Sequence, residues 1–270
     1  MQNMFYNCNS LINLDLSNFN INKVENTEGM FQNCSSLINL DLHNFVGINV
    51  KNINNMFLDC HNLISLDLSN FEADPNYMSS TFKDCYSLEY LNIQKLKNGN
   101  TKHSYSTFQN CYSIESLDLK RFTFASVTNV QNMFKNCYSL ININLSNYNT
   151  NKIIVIDSLF ENCEKLISLD LSNFITSEVY DMSNMFYNCS SLEYLKLNFD
   201  TTKVENMKNM FRSCISLTSL NITMFDTNNC KNFENMFEND KELNLYIDSN
   251  ICSNLKEQIP EYVNVTDINI

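Results

Sequence analysis

The apolar positions of this chain recur with one long period instead of the short period of a single helix or strand. Phenylalanine followed three residues later by cysteine occurs nine times, and successive phenylalanines are separated by 26 or 25 residues. The pairs are Phe5/Cys8, Phe31/Cys34, Phe57/Cys60, Phe82/Cys85, Phe108/Cys111, Phe134/Cys137, Phe160/Cys163, Phe186/Cys189 and Phe211/Cys214. Phe237 continues the series, with Asp240 in place of the cysteine. A fixed period of this length indicates stacked structural repeats.

Each unit also contains a short alternating segment. A leucine or isoleucine lies three residues after each of the nine cysteines, and a segment such as Leu14-Asp15-Leu16 follows. Alternation of apolar and polar residues predicts a strand with one buried face. An aromatic residue usually closes the segment, as Phe19 does in the first unit. The resulting consensus is MFxNCxSLxxLDLSNFxTxxVxxMxx.

A second spacing lies in the other half of the unit. Val24, Thr27, Met30 and Phe31 recur at steps of three and one, which predicts a short α-helical or 3₁₀ segment with one buried stripe. One parallel strand and one such segment in each unit of about 26 residues define an α/β repeat solenoid of the leucine-rich-repeat type, with about ten coils. We expect residues 1–247 to form this array and to begin within a repeat.

Residues 248–270 do not follow the repeat. This segment contains Ile259-Pro260, Val263 and Val265, which we expect to close the open end of the core. Terminal coils of a solenoid require such cover. The sequence therefore predicts a C-terminal cap over residues 248–270.

Asparagine takes the place of the scarce glycine at the predicted turns. Asparagine tolerates the left-handed backbone conformation and bonds neighbouring backbone groups. One set precedes the cysteines: Asn7, Asn33, Asn110, Asn136, Asn162 and Asn188, with Asp59 and Asp84 in two further coils. A second set follows the strands and is expected to stack as a ladder: Asn18, Asn44, Asn70, Asn147 and Asn173.

Composition and charge narrow the class of partner. Hydrophobic residues make up 44% of the chain, which is enough for a core, and the formal net charge is −12. Nucleic-acid binding needs a basic surface, so a nucleic-acid partner is disfavoured. A protein or glycan that is basic or neutral fits this charge better. No apolar run reaches the length of a transmembrane helix, and no signal peptide is predicted within the chain.

The eleven cysteines are not expected to form disulfides or metal sites. Nine occupy one column, and residues in register on stacked coils lie about 5 Å apart with parallel Cα–Cβ vectors, which suits a disulfide poorly. The paired spacing of zinc ligands does not occur. We interpret the column as small buried apolar side chains. Cys252, outside the array, is expected to be the most reactive thiol.

The sequence contains no recognisable catalytic motif. His43, His61 and His103 are the only histidines, and no P-loop, GxSxG or HExxH occurs. We therefore predict a protein that is not an enzyme and that needs no cofactor or metal.

The outward side chains of the predicted strands form a polar face with carboxylates and tyrosines. The candidate partner-binding residues on this face are Asp15, Asp41, Asp67, Tyr90, Asp118, Asp170 and Tyr194. An alternative is a face that serves only solubility, since a solvated row of charges costs little in water. Calcium is not expected, because a flat row does not enclose an ion with six or more oxygens.

The repeat resembles the BspA-type leucine-rich repeat family, particularly its 26-residue branch of bacterial surface proteins and lipoproteins. The residues that carry the resemblance are Met30-Phe31-Gln32-Asn33-Cys34-Ser35-Ser36-Leu37 with Leu40-Asp41-Leu42, and their copies. The resemblance implies a right-handed solenoid and a role in surface interaction such as adhesion, without catalytic residues.

Three functions remain open from the sequence. The first is a cell-surface or extracellular binding protein that recognises a macromolecular partner through its strand face. The second is a cytoplasmic scaffold or substrate-recruiting repeat protein, which also contacts another polypeptide through that face. The third is a structural spacer that binds nothing.

Overall fold

A computed structural model of the chain describes residues 1–145 and 148–268. Its strands are β1 (Asn13–Asp15), β2 (Asn39–Asp41), β3 (Ser65–Asp67), β4 (Tyr90–Asn92), β5 (Ser168–Leu171), β6 (Tyr194–Leu197), β7 (Ser219–Asn221), β8 (Asn244–Ile247) and β9 (Asn264–Asp267). One helical turn, α1 (Ser253–Lys256), lies between β8 and β9. The turn predicted at Asn147 and the last two residues of the predicted cap lie outside the described residues.

The alternating segments stack as parallel strands in register. Strands β1 to β4 pair in chain order, β5 pairs with β6, and β7, β8 and β9 form a third set. Leu14, Leu40, Leu66 and Leu91 are aligned on successive strands and point into the core. The predicted leucine-rich-repeat solenoid is therefore confirmed.

The helical segment predicted in each repeat is wrong. In the second coil the backbone N–H groups of Met30 and Cys34 donate to the carbonyls of Thr27 and Phe31, three residues earlier. Gly29 and Asn33 have φ values of 58° and 59°, as at the third position of type II turns. The segment is thus a series of tight turns. Among the described residues, α1 is the only α-helix, and it lies outside the repeats.

These turns also join neighbouring coils. The N–H groups of Thr27, Gly29, Phe31 and Asn33 donate to carbonyls of the following coil at 2.8–3.0 Å. Amides therefore alternate between a bond within the turn and a bond to the next coil. A second parallel ladder of isolated bridges runs along this side and joins Asn26, Asn52, Tyr77, His103, Asn129, Val155, Asp181, Asn206 and Asn232.

The two asparagine columns have different structural roles. The predicted left-handed conformation is confirmed for the column that precedes the cysteines, where Asn7 and Asn136 both have φ of 60°. Its side chains also bond each other between coils, as Asn162 does to Asn136 at 2.7 Å. The column after the strands bonds backbone instead, since the Asn70 amide donates to the His43 carbonyl of the preceding coil.

Ten phenylalanine rings form the centre of the core. Each ring from Phe5 to Phe237 stacks on the next coil's ring, with centroids 5.4–6.0 Å apart and ring planes within 10° of parallel. The stack continues through both 25-residue steps, at 5.6 Å for Phe57 to Phe82 and 5.5 Å for Phe186 to Phe211. Offset ring stacking therefore sets the register of the coils.

Eight of the nine cysteines in the column are buried, as predicted, Cys8 is partly exposed, and none of the nine forms a disulfide in the described structure. Eight of these thiols, from Cys34 to Cys214, also donate to the carbonyl of the phenylalanine one coil earlier, at 3.1–3.2 Å. Burial raises the pKa of Cys34 to about 11 and that of Cys137 to about 12.

The prediction that Cys252 is the most reactive thiol is wrong. Cys252 is fully buried, and its thiol donates to the Asp248 carbonyl at 2.9 Å. Burial raises its pKa to about 11. Cys8, in the first coil, is the cysteine with partial exposure.

The segment after the array continues the strand column by one rung. Strand β9 pairs in parallel with β8, and Leu255 and Val263 are buried. Ile259 is partly buried against the core, whereas Val265 is 39% exposed. The assignment of residues 248–270 as a separate cap stays a prediction.

Candidate functional site

The strands place the predicted carboxylates on one exposed face. Asp15, Asp41 and Asp67 are aligned in register at the ends of β1, β2 and β3, and all three side chains are exposed. Neighbouring rungs of a sheet are about 4.8 Å apart. The structure therefore brings these three carboxylates into one continuous row.

The other four predicted residues lie further along the solenoid. Tyr90 is in register with Ser65, in the column beside the row, whereas Asn92 follows Asp67 in the row itself. Asp118 lies between the β4 and β5 coils, while Asp170 and Tyr194 lie on β5 and β6. The seven residues therefore share a face but do not form one compact site.

Each carboxylate of the row also has a structural role that the sequence did not reveal. Asp15, Asp41 and Asp67 accept a hydrogen bond from the backbone N–H two residues ahead, at 2.9, 3.0 and 2.8 Å. This is an Asx-turn, which reverses the chain after a strand. Asn221 makes the same bond with its amide oxygen, so the turn needs an oxygen acceptor and not a negative charge.

These hydrogen bonds also keep the carboxylates ionised. The backbone N–H of Ser17 lowers the pKa of Asp15, and the backbone N–H of His43 lowers the pKa of Asp41. Both side chains are solvated, so they carry full charge at neutral pH.

Lysine neutralises some of the predicted carboxylates and not others. Lys120 Nζ lies 3.2 Å from Asp118, and Lys196 Nζ lies 3.7 Å from Asp170 on the neighbouring strand. The outward positions of the first four coils contain no lysine or arginine, and His43 is the one titratable nitrogen beside the row. The unneutralised part of the face is therefore the row on β1, β2 and β3, which we call the acidic row.

An exposed isoleucine column runs beside the acidic row, and the sequence reasoning missed it. Ile12, Ile38 and Ile64 directly precede the three strands and are 54%, 38% and 44% exposed. Exposed aliphatic side chains in adjacent positions indicate a contact surface more often than isolated ones do. The signal in the sequence was an apolar residue directly after the leucine that lies three residues past each cysteine. We call these three residues the isoleucine strip.

Two grooves lie along the strand face. One groove, of about 420 Å³, is lined by Asp118, Lys120, Phe122 and Tyr148 among others. The second, of about 410 Å³, lies between β6 and β7, which do not pair, and includes Tyr194 and Lys196. The turn after β6 is one residue shorter than its copies, because Phe199 follows Leu197 after a single residue.

Each histidine contacts a polar side chain, and His103 Nδ1 lies 3.5 Å from the Thr128 hydroxyl. His43 and His61 bond Asp41 and Asp59 at 2.7 and 3.0 Å. Among the described residues, no cluster of three or more His, Cys, Asp or Glu side chains could hold a metal ion. Across the same residues, no helix has the length and apolar character of a membrane span.

Parallel strands with inward leucines, joined by turns in a fixed register, define a leucine-rich-repeat solenoid with a mainly polar strand face. The chain belongs to the family described as "Mycoplasma protein of unknown function, DUF285", whose model matches residues 1–91, 75–174 and 154–269. No curated protein matches the chain.

The solved structures that are similar to this chain include three of low sequence identity. A leucine rich cell surface protein from Faecalibacterium prausnitzii is 17% identical, with a TM-score of 0.38 over 82% of this chain and 69% of that one. A leucine-rich-repeat protein from Leptospira interrogans is 13% identical, with a TM-score of 0.29 over 88% and 79%. A chain of the Toll–Spatzle complex from Drosophila is 17% identical, with a TM-score of 0.41 over 89% and 32%.

Proposed function

We propose that this protein is a non-catalytic binding protein that recognises a macromolecular partner through its strand face. The observation that supports this most is the acidic row beside the isoleucine strip. Three solvated charges without a cation stand next to three exposed aliphatic side chains, and the partner is expected to cover both. A protein with basic or neutral contact residues fits this surface.

We place the protein at the cell surface, with adhesion as its role, in keeping with the resemblance of its repeat to the BspA type. The net charge of −12 agrees with a partner that presents basic groups. Each partner contact would be repeated on successive rungs, which gives an array multiple weak contacts along its length.

The test is binding of the labelled whole protein to intact animal cells. We expect saturable binding that unlabelled protein competes away. The triple variant Asp15→Asn, Asp41→Asn and Asp67→Asn should bind less, because it removes the charge while each amide oxygen still accepts the Asx-turn bond. The matched control is Asp200→Asn with Asp226→Asn, two aspartates outside the strands that make the same Asx-turn bond.

Two results would overturn the proposal. Absence of saturable binding would favour the spacer function. Equal loss in the triple variant and the control would exclude the acidic row as the contact. The location is tested separately by protease treatment of intact cells of the source organism, where resistance of the protein would favour the intracellular scaffold.

A further inference from the structure

We infer that the acidic row and the isoleucine strip together form a trough for a cationic amphipathic α-helix that lies along the solenoid axis. This inference rests on the proposed function and specifies the partner of the same face. It is supported by the distances between the two rows, the distance between rungs and the distribution of charge.

The width of the trough matches a helix. Ile12 lies just before β1 and is exposed like its neighbour Asn13, so the alternation of the strand does not extend to it. Asp15 follows three residues later, and three residues span at most about 10 Å, which limits the distance between the two rows. A helix with its side chains is about 10–12 Å wide. Between the rows, the outward positions are the small polar residues Asn13, Asn39 and Ser65. A helix can therefore rest on these and contact one row with each flank.

The repeat distance also favours a helix over an extended peptide. Side chains on one flank of a helix recur about every 5.4 Å, against about 4.8 Å for the rungs, so the mismatch over three rungs is about 1.2 Å. Side chains on one face of an extended strand recur about every 6.7 Å, and the same mismatch grows to about 3.8 Å. This mismatch is most of the distance between two neighbouring rungs.

The charges specify which flank of the helix is basic. Asp15, Asp41 and Asp67 line one side of the trough without a lysine or arginine partner. The uncharged isoleucine strip lines the other side, and Glu89 follows it only in the fourth coil. The helix would place leucine-like side chains over the isoleucine strip and lysine or arginine over the acidic row. Tyr90, which is 53% exposed, lies at the end of the small polar positions and ends the flat floor.

The test measures the affinity of synthetic peptides for the whole protein. The probe is a 14-residue peptide of leucine and lysine, with leucines along one helical stripe and lysines along the neighbouring flank. One comparison peptide has the same composition in scrambled order, and another alternates leucine and lysine as a strand would. We expect the helical probe to bind at least about tenfold more tightly than either comparison, because only its stripes meet both rows.

Variants of the protein locate the contact. Asp15→Asn, Asp41→Asn and Asp67→Asn together should weaken the helical probe by about tenfold, and Ile12→Ser, Ile38→Ser and Ile64→Ser together by a similar factor. Asp200→Asn with Asp226→Asn, at two aspartates that make the same Asx-turn bond outside the strands, should change the affinity by less than about twofold. Thermal unfolding of each variant confirms that it folds.

Each outcome decides one point. Equal binding of the helical and scrambled probes, or equal loss in both aspartate variants, would overturn the inference. Stronger binding of the alternating peptide would assign the trough to an extended partner and also overturn it. If binding to cells depends on the acidic row while the helical probe fails, the proposed function stands and the helix does not.

Discussion

The thiol of Cys60 lies 3.1 Å from the backbone carbonyl oxygen of Phe31, one coil earlier. Eight thiols of the cysteine column bond the preceding coil in this way. A thiol is small enough to fit beside the phenylalanine stack and still supplies a weak hydrogen-bond donor. Cysteine therefore links successive coils as well as filling the core.

Replacement of Cys111 by alanine should lower the free energy of unfolding by about 1–3 kcal/mol, because it removes both buried volume and the bond to the Phe82 carbonyl. Urea unfolding followed by circular dichroism measures this effect. Cys8→Ala is the matched control, since Cys8 is only partly buried. An equal loss of unfolding free energy in Cys8→Ala would show that neither the hydrogen bond of Cys111 nor its full burial contributes to stability.

Reactivity of the thiols should follow burial. We expect Cys8 to react first with Ellman's reagent in the folded protein, while Cys252 reacts only after unfolding. Burial raises the pKa of Cys252 to about 11, so little thiolate forms at pH 8. Cys8→Ser should abolish the fast phase and Cys252→Ser should leave it unchanged. A fast phase that depends on Cys252 would contradict the buried position of this thiol.

Asp240 should make stability depend on pH. It replaces cysteine in the buried column, is 2% exposed, and neither carboxyl oxygen has a hydrogen-bond partner in the described structure. Burial raises its pKa to about 8. Between about pH 4 and pH 8 the folded chain holds a proton that the unfolded chain releases, so stability falls by roughly 1.4 kcal/mol per pH unit in that range.

Asp240→Cys removes this carboxyl and should stabilise the protein more at pH 8 than at pH 5. Thermal unfolding at both pH values measures the difference between the variant and the parent protein. Asp67→Asn, at an exposed position, serves as the control. A stabilisation that is equal at both pH values would exclude a proton held by Asp240.

Removal of residues 248–270 tests the predicted cap. Leu255 and Val263 are buried in this segment, and β9 covers the edge of β8. We expect the shortened chain to melt at a lower temperature and to aggregate, because it exposes the end of the core. Unchanged melting and unchanged solubility by light scattering would show that the segment is not a cap.

The repeat and its core could be predicted because identical columns become neighbours in a stacked array. Each phenylalanine and cysteine column gave nine or ten independent copies of the same signal, so single substitutions did not obscure it. The left-handed asparagine column was predictable for the same reason. A second column of residues with positive φ lies four residues before the first one, at Gly29, Asn55, Ser80 and their copies. The sequence did not reveal it because three residue types share the position.

The predicted helix was wrong because turns and helices share a spacing. In these turns, as in a 3₁₀ segment, a backbone N–H donates to the carbonyl three residues earlier, so buried side chains recur at steps of three. What separates the two is the positive φ at Gly29 and Asn33, and the amide bonds to the next coil. Neither is visible in the spacing of apolar residues alone.

The sequence predicts which face carries the candidate site, but not the contacts that its residues make. The alternation of each strand determines which side chains point outward, and this is enough to place all seven predicted residues. Pairing across strands is not encoded in one repeat, so the contact of Lys196 with Asp170 on the neighbouring strand emerged only from the structure. The Asx-turn bonds were hidden because aspartate and asparagine make the same contact.

The coil with the shortened turn at Leu197-Asn198-Phe199 keeps its ring stacked on the next, with Phe186 and Phe211 in the same relation as any other pair. The gain or loss of one residue at this corner therefore leaves the phenylalanine rings of the core aligned with those of the next coil.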